Sequence, residues 1–287
     1  MKFGYIEITN HCNLACSFCP SASSEREKRF MSKDLFTSII RKIKDSVSEV
    51  YFHVLGEPTL HPELQTFFRI CEENNLLVNL TTNGTRIQAV ENVLLSASNL
   101  RQVNFSVHAL EALPHGNPVL ESIISFTERA LRARPELYLN FRLWNAGTDS
   151  PEVSPWNRDL FSKLQERFGT DLSGVRFSRE NKSVPVQGRL YLHLDSRFVW
   201  PAASRESARK QGTCLALKTH FAVLTDGRVT ACCLDDAGHL ELGNIAETSL
   251  EEILESPRAC AMREGFRRKI LTEPFCRTCS YSRRFGS

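Results

Sequence analysis

From the N-terminus to about residue 195, short apolar runs alternate with longer stretches whose apolar residues recur at helical spacing. Segments 3–9, 49–54, 76–81, 102–107, 137–143 and 173–178 are rich in Val, Ile, Phe and Tyr and predict six strands. Between the first two, Leu35, Phe36, Ile39, Ile40 and Ile43 follow Ser32 at the spacing of one helical face, with Ser32 placed as the cap. His61-Pro62 opens a second such stretch through Leu64, Phe67, Phe68 and Cys71, and others are predicted over 86–97, 118–133 and 157–168. Strands alternating with helices of this length imply parallel βαβ units. Six of them fit an α/β chain folded as a (β/α)6 partial TIM barrel. No GxGxxG follows a strand, so nothing supports a dinucleotide-binding unit.

The pattern changes after Arg197–Gln211, where Trp200-Pro201 interrupts it, and the domain boundary is placed there: 1–196 and 197–287. Residues 221–225 and 228–232 read as two strands joined by a type I′ turn at Asp226-Gly227. A helix is expected from Leu250 to Phe266 with an early break at Pro257. The second domain is thus a small β-hairpin plus helix. Two polar stretches connect elements. Ser21–Arg29 is read as a solvated charged loop, with a lid as the second reading, and Asn145–Asn157 as a long loop at a strand end.

Composition narrows the class. At 287 residues, with 24% charged and 41% hydrophobic, the chain reads as an ordinary globular protein with ample length for a core. Its 36 basic and 33 acidic residues leave +3, too balanced to argue a nucleic-acid or membrane partner. No apolar run approaches the ~20 residues that span a bilayer, and no export signal precedes the first strand. Ten cysteines without export argue metal or redox chemistry in a reducing, cytoplasmic setting.

The cysteines fall into two sets. Cys12-x3-Cys16-x2-Cys19 directly follows the first strand and contains no fourth ligand. Thiolates select soft metals, and a structural zinc site would want four protein ligands. Three thiolates can instead hold three irons of a [4Fe–4S] cube and leave the fourth open. The second set, Cys214, Cys232, Cys276 and Cys279, supplies four separated thiolates, enough for a complete cube or for zinc; spacing alone leaves both open. Strand alternation points Cys233 away from Cys232, and Cys71 and Cys260 are read as buried apolar residues of helices.

The CxxxCxΦC loop with its aromatic Phe18 resembles the signature of the radical S-adenosylmethionine (SAM) enzymes. That resemblance implies the same partial barrel, with SAM's amino and carboxylate groups on the open iron and Phe18 against the adenine. Leu55-Gly56-Glu57-Pro58 is similar to the family's Gly-Gly-Glu-Pro segment, with Leu55 in place of the first glycine, and implies a contact of Gly56 and Glu57 with SAM's amino group. Thr81-Thr82-Asn83-Gly84 resembles a supporting turn of the family, and Ser106 its ribose-contacting serine. His108 is read as structural. Arg142, a charge among apolar strand residues, suits either a clamp on SAM's carboxylate or a structural ion pair. Cys214-x12-Gly227-x4-Cys232 followed by Cys276-x2-Cys279 resembles an abbreviated SPASM/twitch domain with one auxiliary [4Fe–4S] cluster.

The expected activity follows from the resemblance: reductive cleavage of SAM, hydrogen abstraction from substrate, and a net oxidation that sends an electron to the auxiliary cluster. An electron donor such as flavodoxin or ferredoxin is implied. Because the sequence opens directly on the first strand, a small molecule is favoured over a peptide held by a leader-binding domain. The alternatives are a peptide-modifying maturase of the sulfatase or ribosomal-peptide type, and a non-catalytic zinc or iron–sulfur protein.

Overall fold

A computed structural model describes residues 1–146, 154–176, 182–196, 199–204 and 207–285. In chain order its first half contains β1 (Phe3–Ile6), α1 (Lys33–Ile43), β2 (Glu49–Phe52), α2 (Leu64–Glu73), β3 (Leu77–Thr82), α3 (Ile87–Ser96), β4 (Leu100–Phe105) and α4 (Gly116–Ala133). Then come β5 (Tyr138–Leu143), α5 (Pro155–Phe168), β6 (Ser183–Gln187), β7 (Leu190–Leu194), β8 (His220–Val223), β9 (Arg228–Thr230) and β10 (Glu241–Asn244). Three helices close the chain: α6 (Leu250–Leu254), α7 (Pro257–Arg267) and α8 (Pro274–Arg277). No described helix is long and apolar enough to cross a membrane. The chain divides into two compact units, Met1–Val78 with Phe198–Ser287, and Asn79–Arg197.

In the first unit β1 pairs in parallel with β2 on one side and with β8 on the other. The strand leading to the first cysteine loop is therefore flanked on both edges. α1 crosses from β1 to β2 and starts where the Ser32 side chain accepts the Leu35 N–H. Its buried face is Phe36, Ile39, Ile40 and Ile43, and Phe36 stacks on Phe67 of α2 at 3.9 Å. Beyond β8, the strands β9 and β10 pair antiparallel. Pro257 stands at the first turn of α7 with Ser256 as its cap, so the expected break separates α6 from α7.

The β8–β9 connection is not type I′. That turn needs positive φ at both central residues, and Gly227 (φ 87°) is the only residue of Thr225-Asp226-Gly227 with it. The Gly227 N–H donates to the Leu224 carbonyl at 2.9 Å, and the Leu224 N–H to the Arg228 carbonyl at 2.9 Å. These bonds describe a three-residue loop whose last residue is left-handed.

The second unit holds β4 parallel to β5, β5 parallel to β7, and β6 antiparallel to β7. The strand beside β5 is thus Leu190–Leu194 and not 173–178. Residues 173–174 form a turn, helped by the Ser173 N–H on the Asp171 carboxylate at 2.9 Å, and 175–176 have no regular structure; residues 177–178 lie outside the described residues. β7 wins the place because alternate residues Leu190, Leu192 and Leu194 are buried while it continues the β6 hairpin. Most of the expected Asn145–Asn157 loop, 147–153, also lies outside the described residues.

His220 opens β8 opposite Phe3, with its ring edge-on to Tyr5 at 5.5 Å. Burial pushes it down to about 4. The unfolded chain, with an ordinary imidazole, binds more protons between pH 6.5 and 4, so folding stability is full above that window and falls as pH drops through it. This group should cost up to about 3 kcal/mol across the window. His220→Gln should remove that part of the acid sensitivity; denaturant unfolding at pH 7 and 5 measures it, and an unchanged pH loss in the variant contradicts it.

Candidate iron–sulfur and SAM site

The chain leaves β1 through Glu7, whose carboxylate is fully buried. Glu7 accepts from Arg26 at 2.9 Å and through a second guanidinium nitrogen, and also from the N–H groups of Leu55 (3.3 Å) and Thr225 (3.1 Å). Arg26 in turn donates to the Thr225 hydroxyl (3.1 Å) and the Asp236 carbonyl (2.9 Å). Burial pushes the guanidinium down, but the Glu7 hydrogen bonds and charge outweigh it and hold Arg26 above its ordinary value. The Ser21–Arg29 run is mostly exposed, as expected of a solvated loop, but Arg26 turns inward. The run is also strapped to the strand end, with Met31 N–H on Ile8 O (2.8 Å), Arg29 N–H on Asn10 Oδ1 (2.7 Å) and Asn10 Nδ2 on Glu27 O (2.8 Å).

Within that frame Cys12, Cys16 and Cys19 are each half-buried. The Cys19 N–H donates to the Cys16 carbonyl at 3.0 Å, which tightens the end of the loop. Burial pushes the Cys19 thiol up to about 11, a Ser21 backbone hydrogen bond opposes it, and the nearby Cys12, Cys16 and Asp236 raise it further. Cys12 and Cys16 thus both lie near Cys19. Phe18 between them is half-buried.

Gly56 closes over this loop. It is left-handed (φ 75°), and a Cβ there would stand 2.2 Å from the Thr9 carbonyl oxygen and 2.8 Å from that of His11. Only glycine fits both the conformation and the approach. The Glu57 N–H donates to the His11 carbonyl at 2.6 Å, and its buried carboxylate caps the next turn, accepting from Thr59 N–H (3.0 Å) and Oγ1 (2.7 Å).

In the second unit, Ser106 ends β4 with its N–H on the Thr82 carbonyl at 2.8 Å. The turn after β3 is held locally, Thr82 Oγ1 accepting from Gly84 N–H and Asn83 Oδ1 from Thr85 N–H, both at 3.0 Å. His108 is buried and bonded through Nδ1 to the Arg142 carbonyl at 3.0 Å, a structural setting. The Arg142 guanidinium lies over the Trp144 ring at 5.2 Å, a cation–π contact.

The four later cysteines converge. Burial raises Cys276, then Cys214 and Cys279; burial raises Cys232, then Cys233, Cys214 and Cys276. Cys214 is raised by burial and by Cys279 against amide hydrogen bonds, one from Ala216 N–H at 3.5 Å to the sulfur. Cys233 packs instead against Val54, Ala222 and Leu224. Cys71 is fully buried as expected, whereas Cys260 is half-buried beside Glu255. Among the described residues no three His, Cys, Asp or Glu side chains gather for one metal ion. A cube places each thiolate on a different iron and asks for a wider spread than zinc, whose ligands all lie about 2.3 Å from one ion. Soft, mutually close thiols with amides aimed at sulfur fit an iron–sulfur cluster.

Sequence reading missed Glu7, Arg26, Thr225 and Asp236. The available signal was a carboxylate inside the apolar run Ile6-Glu7-Ile8. Asp236 is buried and raised by that burial, with Oδ1 lacking a hydrogen-bond partner.

Comparison with known proteins matches two separate stretches of the chain. The Radical SAM superfamily model matches residues 6–133, and the SPASM iron–sulfur cluster-binding domain matches 214–280. Mycofactocin maturase MftC of Mycolicibacterium smegmatis is 27% identical over 193 residues, 64% of this chain and 47% of that protein. A tungsten-containing aldehyde ferredoxin oxidoreductase cofactor-modifying protein of Pyrococcus furiosus is 36% identical over 87 residues, 30% of this chain and 24% of its own. The chain spans about half or less of the length of these curated relatives. Among solved structures, BtrN in complex with AdoMet and 2-DOIA superposes with TM-score 0.57 at 15% identity, covering 98% of this chain and 93% of that one. The anSMEcpe structure with bound AdoMet gives 0.56 at 16%, covering 99% and 84%. These likenesses show the fold: the α/β class of those structures, with a small C-terminal iron–sulfur region.

Two outcomes test this geometry. Arg26→Ala leaves a buried, unpaired Glu7 and should cost about 3–5 kcal/mol, with Glu7→Gln/Arg26→Ala recovering part of it; denaturant unfolding reads both, and an effect below about 1 kcal/mol for the single variant contradicts the account. Gly56→Ala should destabilise by more than the roughly 1–2 kcal/mol that a left-handed residue costs alone, because the Thr9–His11 backbone must move. A smaller loss in unfolding would show that the contact is loose.

Proposed function

The chain belongs to the radical SAM superfamily and carries a SPASM domain, and from that premise we propose that it oxidises a C–H bond of a small molecule or of a peptide side chain. The observation that carries this reading is the pair of separate thiol groups in one chain, one of three cysteines and one of four. SAM and two [4Fe–4S] clusters are its cofactors, and when bound the first cluster with SAM supplies a 5′-deoxyadenosyl radical that takes a hydrogen atom from substrate. Cys12, Cys16 and Cys19 are proposed to hold the first cluster, leaving one iron for SAM. Cys214, Cys232, Cys276 and Cys279 are proposed to hold the second and leave no iron for substrate. The proposed functional division is 1–196 for the SAM-binding part and 197–287 for the part that carries the second cluster.

The chain's own residues bind and orient. Gly56 brings backbone close to the first loop and fixes its shape, and Glu57 is assigned to SAM's amino group. Phe18 is assigned to the adenine, Ser106 to the ribose, and Arg142, already oriented by Trp144, to the carboxylate. A cluster held by Cys214, Cys232, Cys276 and Cys279, with every iron bound by the protein, would supply an acceptor for the second electron of the net oxidation.

The substrate is the open half of the proposal. Both substrate kinds occur on this fold, since BtrN is described with 2-DOIA and anSMEcpe with a Cp18Cys peptide. The maturase relatives favour the peptide reading, although they match only part of their length.

Anaerobic reconstitution should give about eight irons per chain, in two cubes. Alanine at Cys12, Cys16 and Cys19 together should leave about half of it and abolish SAM cleavage. Alanine at Cys276 and Cys279 should remove the other half, keep deoxyadenosine formation and lower the ratio of oxidised product to deoxyadenosine. SAM cleavage surviving in the triple variant, or an unchanged product ratio in the double one, overturns the respective assignment.

A further inference from the structure

Alternate residues at the end of the strap turn toward the first cysteine loop. Arg26 reaches Glu7, and Phe30, which bridges Thr9 in antiparallel fashion, stacks on the His11 ring at 4.7 Å. Glu27 and Arg29 between them pair with each other and stay exposed. Lys28 belongs to the inward set. The residue is exposed as a whole, yet its ammonium is held, donating to the Ser21 carbonyl at 2.5 Å and to the Asn10 carbonyl at 3.3 Å.

The place of those two carbonyls separates Lys28 from an ordinary surface lysine. Asn10 stands two residues before Cys12, and Ser21 two residues after Cys19. One ammonium thus ties together both ends of the three-cysteine loop. Both anchors are themselves fixed. Asn10 is fully buried, donates from Nδ2 to the Glu27 carbonyl and accepts the Arg29 N–H on Oδ1. Ser21 is buried and is bonded through its backbone to the Cys19 side chain. The same residue therefore meets Lys28 on one side and a candidate iron ligand on the other. Of the three cations in the strap, Arg26 is paired with Glu7 and Arg29 with Glu27. Lys28 is bonded to backbone carbonyls alone, so no carboxylate among the described residues offsets its charge.

We propose that Lys28 is a positioning residue of the first cysteine loop, whose ammonium closes the loop around its cluster and whose charge favours the cluster's reduced form. The inference rests on the assignment of a cluster to Cys12, Cys16 and Cys19. Restraining a lysine head costs side-chain entropy, which two carbonyl contacts on one loop offset. In the reduction a one-electron donor loses the electron that the cluster gains, and no bond forms or breaks. The added electron enters a site already surrounded by three thiolates, and a fixed cation beside it stabilises that charge.

Two readings of the anaerobically reconstituted full chain, both taken without SAM, test this. One is the rate of iron release to a ferrous chelator; the other is a redox titration with dithionite, followed by electron paramagnetic resonance. Lys28→Met should release the first cluster's iron about threefold faster or more, and make its one-electron reduction about threefold less favourable or more. Lys28→Arg keeps the charge and should restore the reduction and most of the iron retention. Arg29→Met removes an equal charge from the solvent-facing side and should match the wild type in both readings. A Lys28→Met chain that matches the wild type in either reading overturns the proposal, and so does an equal effect of Arg29→Met. If the cluster assignment itself is wrong, the Cys12/Cys16/Cys19 alanine variant keeps all its iron. The metal-free chain then decides the loop closure by hydrogen exchange at the Cys19 and Met31 amides, which are bonded to the Cys16 and Ile8 carbonyls. Exchange there should be about threefold faster or more in Lys28→Met, and an unchanged rate overturns the closure.

Discussion

The buried ion pair between Glu7 and Arg26 is the constraint on which the described site depends. Two charges taken out of water are costly, and their attraction compensates only when the geometry is good and the remaining donors and acceptors are met. Here they are met by backbone and side chains from four separate places: the loop after β2 at Leu55, the β8–β9 loop at Thr225, the loop after Cys232 at Asp236, and the strap that carries Arg26 itself. None of these segments can shift without leaving a charge unpaired. A network of this kind stands or fails as a whole, because each bond polarises and orients the next.

That knot explains why the first cysteine loop has a fixed shape in a chain segment with little regular structure. The loop leaves β1 beside Glu7, passes under Gly56, and returns through the strap to pair with Thr9 and Asn10. It also explains why the hairpin of Cys232 is more than an appended module. β8 is the direct parallel neighbour of β1, and Cys232 follows β9, the strand paired to the other edge of β8. Asp236, which raises the Cys19 thiol through its charge, belongs to the loop that follows Cys232. The two thiol groups are therefore built on a shared polar core within one compact unit, and the chemistry proposed for them draws on that shared support.

Much of this was legible in the sequence because local periodicity and long-range packing agreed. Ser32 with Leu35, Phe36, Ile39, Ile40 and Ile43 reads as a capped helix and is one, since the face that repeats is the face that packs on α2. The two cysteine sets read directly from spacing. What failed had a distant cause. Residues 173–178 look β-prone locally, but the place beside β5 goes to Leu190–Leu194, whose alternate burial is decided by tertiary pairing. Asp226-Gly227 carries the composition of a two-residue turn, while the strand register sets a three-residue loop. Arg26 sits in a polar run whose composition says solvent; its partners are 19 residues upstream and about 200 downstream, which no window reveals.

The central claim is that two clusters sit on this chain and only the first binds SAM. Electron paramagnetic resonance of the reduced, reconstituted protein, recorded before and after SAM is added, tests it directly. The account predicts two overlapping cluster signals, of which one shifts on SAM addition and is missing from the Cys12/Cys16/Cys19 alanine variant, while the other stays fixed. A single signal, or a shift of the signal that persists in that variant, would contradict it.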